Sequence, residues 1–350
     1  MRALDLFAGA GGLSVGLVET GFDIALAVER DRAACRTYRT CHPAVEVREG
    51  SVADVDYGAL RGEIALVAGG PPCQPFSTGG LRLGHHDPRD GIPAMLLVVE
   101  LAQPEAVLIE NVAGLARGAK SSDLQMVLAR LERLGYVPAW RVLDSADYGV
   151  PQRRTRLFIV ALRDREFVFP EPTHGPRGAQ PWVSAGSVLD ARASIGEPNP
   201  SIVTYAKRPD SRPSPYDGHL FNGGGRPIDL ARPARTILAS AGGNKTHFLD
   251  TAGVVPEYHS HVRRGGAPRS GLVPGARRLT VEESALLQSF AWGTSFEGAR
   301  SQRYTQVGNA VPPLLARAVA HALMSQLGRT SAQAAAEAPR AAHAIGLGRA

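Results

Sequence analysis

Three cysteines in 350 residues, Cys35, Cys41 and Cys73, are too few and too irregularly spaced for a disulfide framework or a metal-ligand cluster. That scarcity fits reduced thiols, a cytoplasmic protein and no metal site. No apolar stretch approaches about 20 residues and no basic-then-apolar leader is present, so a soluble, unexported protein without a membrane partner is expected. Lysine is scarce as well: only three of the 39 positive residues are Lys. The net charge of +6 sits in one place, because residues 171–280 hold fourteen Lys and Arg against eight Asp and Glu. A basic segment beside a balanced one suits a polyanion partner, although an Arg-, Gly- and Pro-rich composition accounts for the same excess.

Apolar runs are what the first half has in quantity. ALDLF (3–7), IALAV (24–28), IALVA (64–68), AVLIE (106–110) and LFIVA (157–161) are short and nearly continuous, as strands buried on both faces are. Helical spacing fills 12–20, 31–39, 93–102 and 121–134, with Ser122 or Asp123 as the cap of the last. The alternation predicts an α/β fold with a doubly wound, mostly parallel sheet. From about 171 the texture turns to short Gly-, Pro-, Ser- and Arg-rich pieces, with no long periodic helix until 280–290. This reads as a small, loop-rich inserted domain, followed by a last helix at 311–325. The expected division is 1–170 with 300–327, then 171–299, and an Ala-rich disordered tail at 328–350.

Chemistry concentrates at the strand ends. GGPPCQPFS (69–77) sets Cys73 in a Gly-Pro turn after an apolar run, the placement an exposed nucleophile needs. The first strand runs into DLFAGAGGLSVG (5–16), where Gly9, Gly11 and Gly12 permit close approach of a cofactor and Ser14 replaces the third glycine of a dinucleotide site. Glu29 ends the second strand, placed to bond a ribose diol or simply to cap. Glu110 ends another, where burial would raise its pKa for acid–base work or leave it a structural acid. Arg154 and Arg156 of QRRTR (152–156) alternate onto one face and suit a planar carbonyl or a phosphate.

These blocks, with RRLTVEESALLQSF (277–290) and QVGNAVPP (306–313), occur in the order found in DNA cytosine-5 methyltransferases, and the chain resembles the bacterial restriction-modification type of that family. The resemblance implies the S-adenosylmethionine-dependent methyltransferase fold, with a target-recognition domain in the basic insertion. It implies S-adenosylmethionine held by Phe7, Ala8, Gly9, Gly11, Gly12, Leu13, Glu29, Ser51, Val52, Pro72, Asn309 and Val311. It implies a flipped cytosine attacked at C6 by Cys73, with Glu110 at N3 and Arg156, more loosely Arg154, steadying the base. Ser51 departs from the family pattern, which usually has Asp for the adenine amine; Asp54 substitutes only if the turn is arranged differently. Double-stranded DNA would meet Gln74, Ser77 and Arg89 on the loop after the nucleophile. In the recognition region, Arg226, Arg235, Asn244, Lys245 and Thr246 would reach bases or phosphates, with a lean to a short GC-rich site. A monomer and a cognate restriction endonuclease are further implications. The alternatives are a transfer-RNA cytosine-5 methyltransferase of the same branch, whose Cys-Phe-Thr signature is absent, and an inactive DNA-binding relative, which would have lost Cys73 or Glu110. A nicotinamide oxidoreductase does not fit the glycine pattern.

Overall fold

The computed structural model describes residues 1–72, 91–117, 121–190 and 193–328. Cys73, Gln74, Ser77, Arg89 and the 329–350 tail lie outside the described residues. Seven strands form the central sheet: β1 (Arg2–Leu6), β2 (Asp23–Glu29), β3 (Val47–Glu49), β4 (Leu66–Gly69), β5 (Ala106–Val112), β6 (Val137–Asp144) and β7 (Thr155–Leu162). Their spatial order is β3-β2-β1-β4-β5-β7-β6. All pairs are parallel except those of β7, which runs antiparallel to both β5 and β6.

The continuous apolar runs have the expected cause. Leu4, Leu6, Val67, Val107, Ile109 and Ile159 face a core shared with α3 (Ile92–Ala102) and α4 (Ser121–Arg133). Ala3, Leu66, Ala68, Leu108, Phe158 and Val160 face the opposite core, built with α1 (Gly12–Glu19) and α8 (Pro313–Leu327). Alternation still operates, but both faces are apolar. Close packing of α1 on α8 requires Gly16, where a Cβ would lie 2.3 Å from the Arg317 nitrogen. Ser122 and Asp123 fall inside the first turn of α4 and not at its cap, because the helix begins one residue earlier.

The region after β7 is less bare of helix than its composition suggests. Two-stranded pieces β8 (Tyr205–Asp210) with β9 (His219–Phe221), and β10 (Phe248–Asp250) with β11 (Ala276–Arg278), surround a helix α5 (Val254–Arg263) that periodicity does not reveal. Val255 and Tyr258 anchor α5 in a small core with Phe221 and Phe248, and its other positions are polar enough to mask the pattern. Then α6 (Val281–Leu287) begins at a capping box, Thr280 with Glu283. A further helix, α7 (Arg300–Asn309), precedes α8. A core of Ala10, Ile228, Ile237, Phe290, Tyr304 and Val307 joins the late helices to both the glycine turn and the insertion. Among the described residues no helix is long and apolar enough to cross a membrane.

Candidate active site

A cavity of about 720 Å³ opens at the carboxyl ends of β1, β2, β4 and β5, where open α/β sheets place their ligands. Phe7, Ala8, Gly9, Gly12 and Leu13 line it. Phe7 has φ +56°, a conformation a bulky residue adopts only when its surroundings force it. Gly9 also has φ +56°, and a Cβ there would meet nothing within 4 Å, so this turn leaves open space above the backbone. Gly11 does not line the cavity. It has φ +84° as the residue before α1, and a Cβ there would lie 2.7 Å from the His42 ring. Gly12 is constrained by packing, since its Cβ would fall 2.4 Å from the Val311 carbonyl oxygen.

One end of the cavity is acidic. The Gly9 N–H donates to Glu29 Oε2 (2.9 Å) and the Asp31 N–H to Oε1 (2.8 Å), which pins the carboxylate at the rim. Asp5, 1% exposed, lines the same end, a role that sequence reasoning missed. Ser14 Oγ donates to Asp5 Oδ2 (2.6 Å); its proton being committed, Ser14 accepts from the Tyr38 hydroxyl (2.6 Å). Asp5 Oδ1 is buried without a partner among the described residues. Burial, with Glu29 nearby and against the Ser14 bond, pushes the Asp5 carboxyl up to about 7. Ser51 and Val52 line the rim beside Glu29; Ser51 Oγ accepts from the Ala53 N–H (3.2 Å) and opens a short 3₁₀ turn. Asp54 is exposed at the end of that turn and does not line the cavity.

The other end carries Glu110, 7% exposed, and Arg156. In the β5–β7 ladder Glu110 faces Phe158 and Val112 faces Arg156, so the two charged residues are diagonal neighbours on one face. Arg156 Nε lies 3.0 Å from Glu110 Oε1, a close ion pair. Burial raises the Glu110 pKa above the usual carboxylate range, and Arg156 and Arg154 oppose that rise. Gly70, Pro71 and Pro72 complete this end. A side chain at Gly70 would crowd Glu110 Oε2, Asn111 Nδ2 donates to the Pro71 carbonyl, and the Gly91 N–H donates to the Pro72 carbonyl.

Arg154 is 1% exposed and faces inward. Its Nη1 donates to the Ile237 carbonyl (3.1 Å) and its Nη2 to the Gly308 carbonyl (2.7 Å). The buried guanidinium thus ties the start of β7 to the segment at Ile237 and to the segment before Asn309. Asn309 and Val311 line the cavity, as do Ser301, Gln302, Thr305 and Gln306 of α7. That polar face recurs at helical spacing ahead of QVGN, the one signal by which the sequence could have exposed it.

The recognition candidates divide. Asn244 and Lys245 are exposed, and Arg235, half exposed, pairs with Asp217. Arg226 directs its guanidinium Nη2 at His219 Nε2. Thr246 corrects the expectation: it is 2% exposed, its Oγ1 accepts from the Gly242 N–H (2.8 Å) and its carbonyl accepts from the buried Arg278 (2.7 Å). It holds the glycine loop from within and presents nothing to a groove. Arg278, likewise buried, shows that the charge of the basic segment does not all face outward.

Comparison with known proteins adds a family. The model of the C-5 cytosine-specific DNA methylases matches residues 1–188 and 233–325. The Type II methyltransferase M.AplI of Arthrospira platensis is 33% identical over 337 residues, 93% of this chain and 86% of that protein. M.NaeI of Lentzea aerocolonigenes is 35% identical over 338 residues, 93% of this chain and 75% of its own. Among solved structures, a Spodoptera frugiperda DNMT2 variant shares the fold with a TM-score of 0.68 at 16% identity, over 94% of this chain and 99% of its own. The Schizosaccharomyces pombe Dnmt2 methyltransferase does so at 0.63 and 16%, over 93% and 98%.

Proposed function

Because the chain belongs to the C-5 cytosine-specific DNA methylase family and is a DNA cytosine-5-methyltransferase, we propose that it methylates one cytosine of a short double-stranded DNA site through a covalent Cys73 adduct, with S-adenosylmethionine as methyl donor. The observation that carries this reading is the buried Glu110–Arg156 pair facing a cavity whose other end is acidic.

The residues of the acidic end fit the donor. Asp5 Oδ1 lacks a partner among the described residues, Gly9 opens space above the backbone, and each Glu29 oxygen keeps a lone pair for a ribose hydroxyl. Phe7, Ala8, Leu13, Val52, Pro72 and Val311 supply apolar walls, with Gly12 and Asn309 beside them. Ser51 and the Val52 amide would take the adenine edge, since Asp54 is no part of the cavity lining. When bound, S-adenosylmethionine supplies an electrophilic methyl on a sulfonium, which leaves as a neutral thioether.

The chain's own groups prepare the acceptor. The target base leaves the helix, because C6 is unreachable in the stack. The Cys73 thiolate forms a bond to C6 while Glu110, whose burial favours the protonated form against the pull of Arg156, gives a proton to N3. C5 thereby becomes the enamine carbon that accepts the methyl. Loss of the C5 proton to solvent then expels the Cys73 thiolate, and N3 returns its proton to Glu110. Arg156 sets the Glu110 carboxyl and suits the base carbonyl, and Arg154 braces that strand end. Gln74, Ser77 and Arg89 follow the nucleophile and would close over DNA. Protection of host DNA from a cognate restriction endonuclease, by an enzyme acting as a monomer, belongs to the same proposal; the relatives' Type II names suit the first part.

Bisulfite sequencing of plasmid from cells expressing the protein, beside Cys73→Ala, tests the reading. Protected cytosines in one short context, absent in the variant, are expected. Protection that persists in Cys73→Ala, or none in the native protein, refutes it.

A further inference from the structure

Two glycine-rich pieces of the insertion are fastened edge to edge. The Gly225 N–H donates to the Asn244 carbonyl, the Phe248 N–H to the Arg226 carbonyl and the Ile228 N–H to the Phe248 carbonyl. The contact is backbone against backbone: a Cβ at Gly223 would lie 2.2 Å from the Asn244 oxygen, and one at Gly225 only 1.9 Å from the Thr246 oxygen. His247 sits at this seam, 6% exposed. Its Nδ1 accepts from the Arg226 N–H (2.9 Å), so the ring proton is on Nε2, which donates to the Thr236 carbonyl (3.1 Å). Both nitrogens are committed. Burial, with Arg235, Arg226 and Arg278 nearby and against the Thr236 bond, holds its pKa down at about 4, so the ring stays neutral.

The segment that His247 grips is held from its other side by the catalytic half. The Arg153 N–H donates to the Ala234 carbonyl and Thr236 Oγ1 to the Arg153 carbonyl. The Ile237 N–H donates to Gln152 Oε1, and Arg154 joins the Ile237 and Gly308 carbonyls. Hydrogen bonds therefore run without a gap from the Arg226 backbone, through His247 and residues 236–237, to the cavity wall. We propose that His247 is a positioning residue for target selection, holding the Arg226 loop in register with residues 234–237 and hence with the cavity, so that the DNA sequence met by the loop governs how well the cavity is set. This rests on the DNA-methylating reading above. The family model leaves residues 189–232 unmatched and resumes at 233, so His247 links Arg226 of the unmatched segment to Thr236 of the matched one.

The test uses single-turnover methylation of duplexes carrying the site found by bisulfite sequencing, and of duplexes with one base pair changed. His247→Leu keeps bulk but orphans a donor and an acceptor, and the ratio of target to altered-site rates is expected to fall by about tenfold. His247→Asn serves if the Leu variant does not fold: its oxygen can stand in for Nδ1 while nothing reaches the Thr236 carbonyl, and a loss of about threefold is expected. Arg226→Ala should lower the same ratio, and adding His247→Leu or His247→Asn to it should lower it by less than about twofold further, since the placed group is already gone. A merely structural role predicts equal slowing on every duplex with an unchanged ratio, or fully multiplicative effects, and either result overturns the proposal. If the native enzyme methylates no DNA, the functional reading fails first.

Discussion

Replacing Asp5 by Asn removes a buried proton-binding site without changing its shape. The carboxyl is buried, one oxygen bonded to Ser14 and the other without a partner among the described residues, and its pKa rises from 3.8 to about 7. Below about pH 4 the folded and unfolded chains both hold the proton and no penalty exists. Between pH 4 and 7 the unfolded chain releases it while the folded chain keeps it, so stability falls as pH rises. Above pH 7 the penalty is fully present, at about 4 kcal/mol for a rise of this size at about 1.4 kcal/mol per unit. Relaxation and water entry make that figure a ceiling. The carboxamide of the Asp5→Asn variant still accepts from Ser14 and does not titrate. The stability of that variant relative to the native protein should therefore climb by up to about 4 kcal/mol from pH 4 to pH 8. Urea unfolding of both proteins at half-unit pH intervals measures the difference directly. A difference flat across that range would show that the folded protein ionises Asp5 as readily as the unfolded chain does, and would refute the argument.

Glu110→Gln should slow methyl transfer by about 10²–10⁴-fold, the usual range for a lost acid–base group, with duplex affinity by fluorescence anisotropy unchanged. Gly12→Ala forces the Val311 carbonyl away by about 1 Å or strains α1, at about 1–3 kcal/mol; Gly9→Ala meets no atom and carries only about 1 kcal/mol of backbone strain. Thermal unfolding should therefore rank Gly12→Ala below Gly9→Ala, and the reverse order would count against the packing account. Lys245→Ala should weaken DNA binding on every sequence and reduce the salt slope by about 1. Thr246→Val should instead lower stability by about 1–2 kcal/mol through the orphaned Gly242 N–H, with the salt slope intact.

How much of this was legible beforehand depended on local signals. Strands β1, β2, β4, β5 and β7 were readable to within two residues at each end because each is apolar on both faces. β6 was not: it is an outer strand with Trp140 and Arg141 exposed, so its pattern resembles a loop. α5 and α7 escaped because their polar positions outnumber the few that pack inward. Motifs at strand ends pointed to Glu29, Glu110 and Arg156, since a charged residue closing or opening an apolar run stands out in any sequence. Asp5 did not stand out, because inside DLFAGAGG it looks like an ordinary strand residue until its neighbours are known.

The sequence alone determined the alternation of elements, the family motifs and the residue types at the sheet edge, because propensity and periodicity act over a few neighbouring residues. Tertiary structure decided which of those residues face one another. Antiparallel β7 sets Arg156 diagonally across from Glu110, the return of the chain at Val311 makes Gly12 obligatory, and the seam at His247 buries Thr246 that composition would have placed in a groove. Each is a contact between segments tens to hundreds of residues apart, and desolvation and close packing, which exist only once those segments meet, supply its physical content.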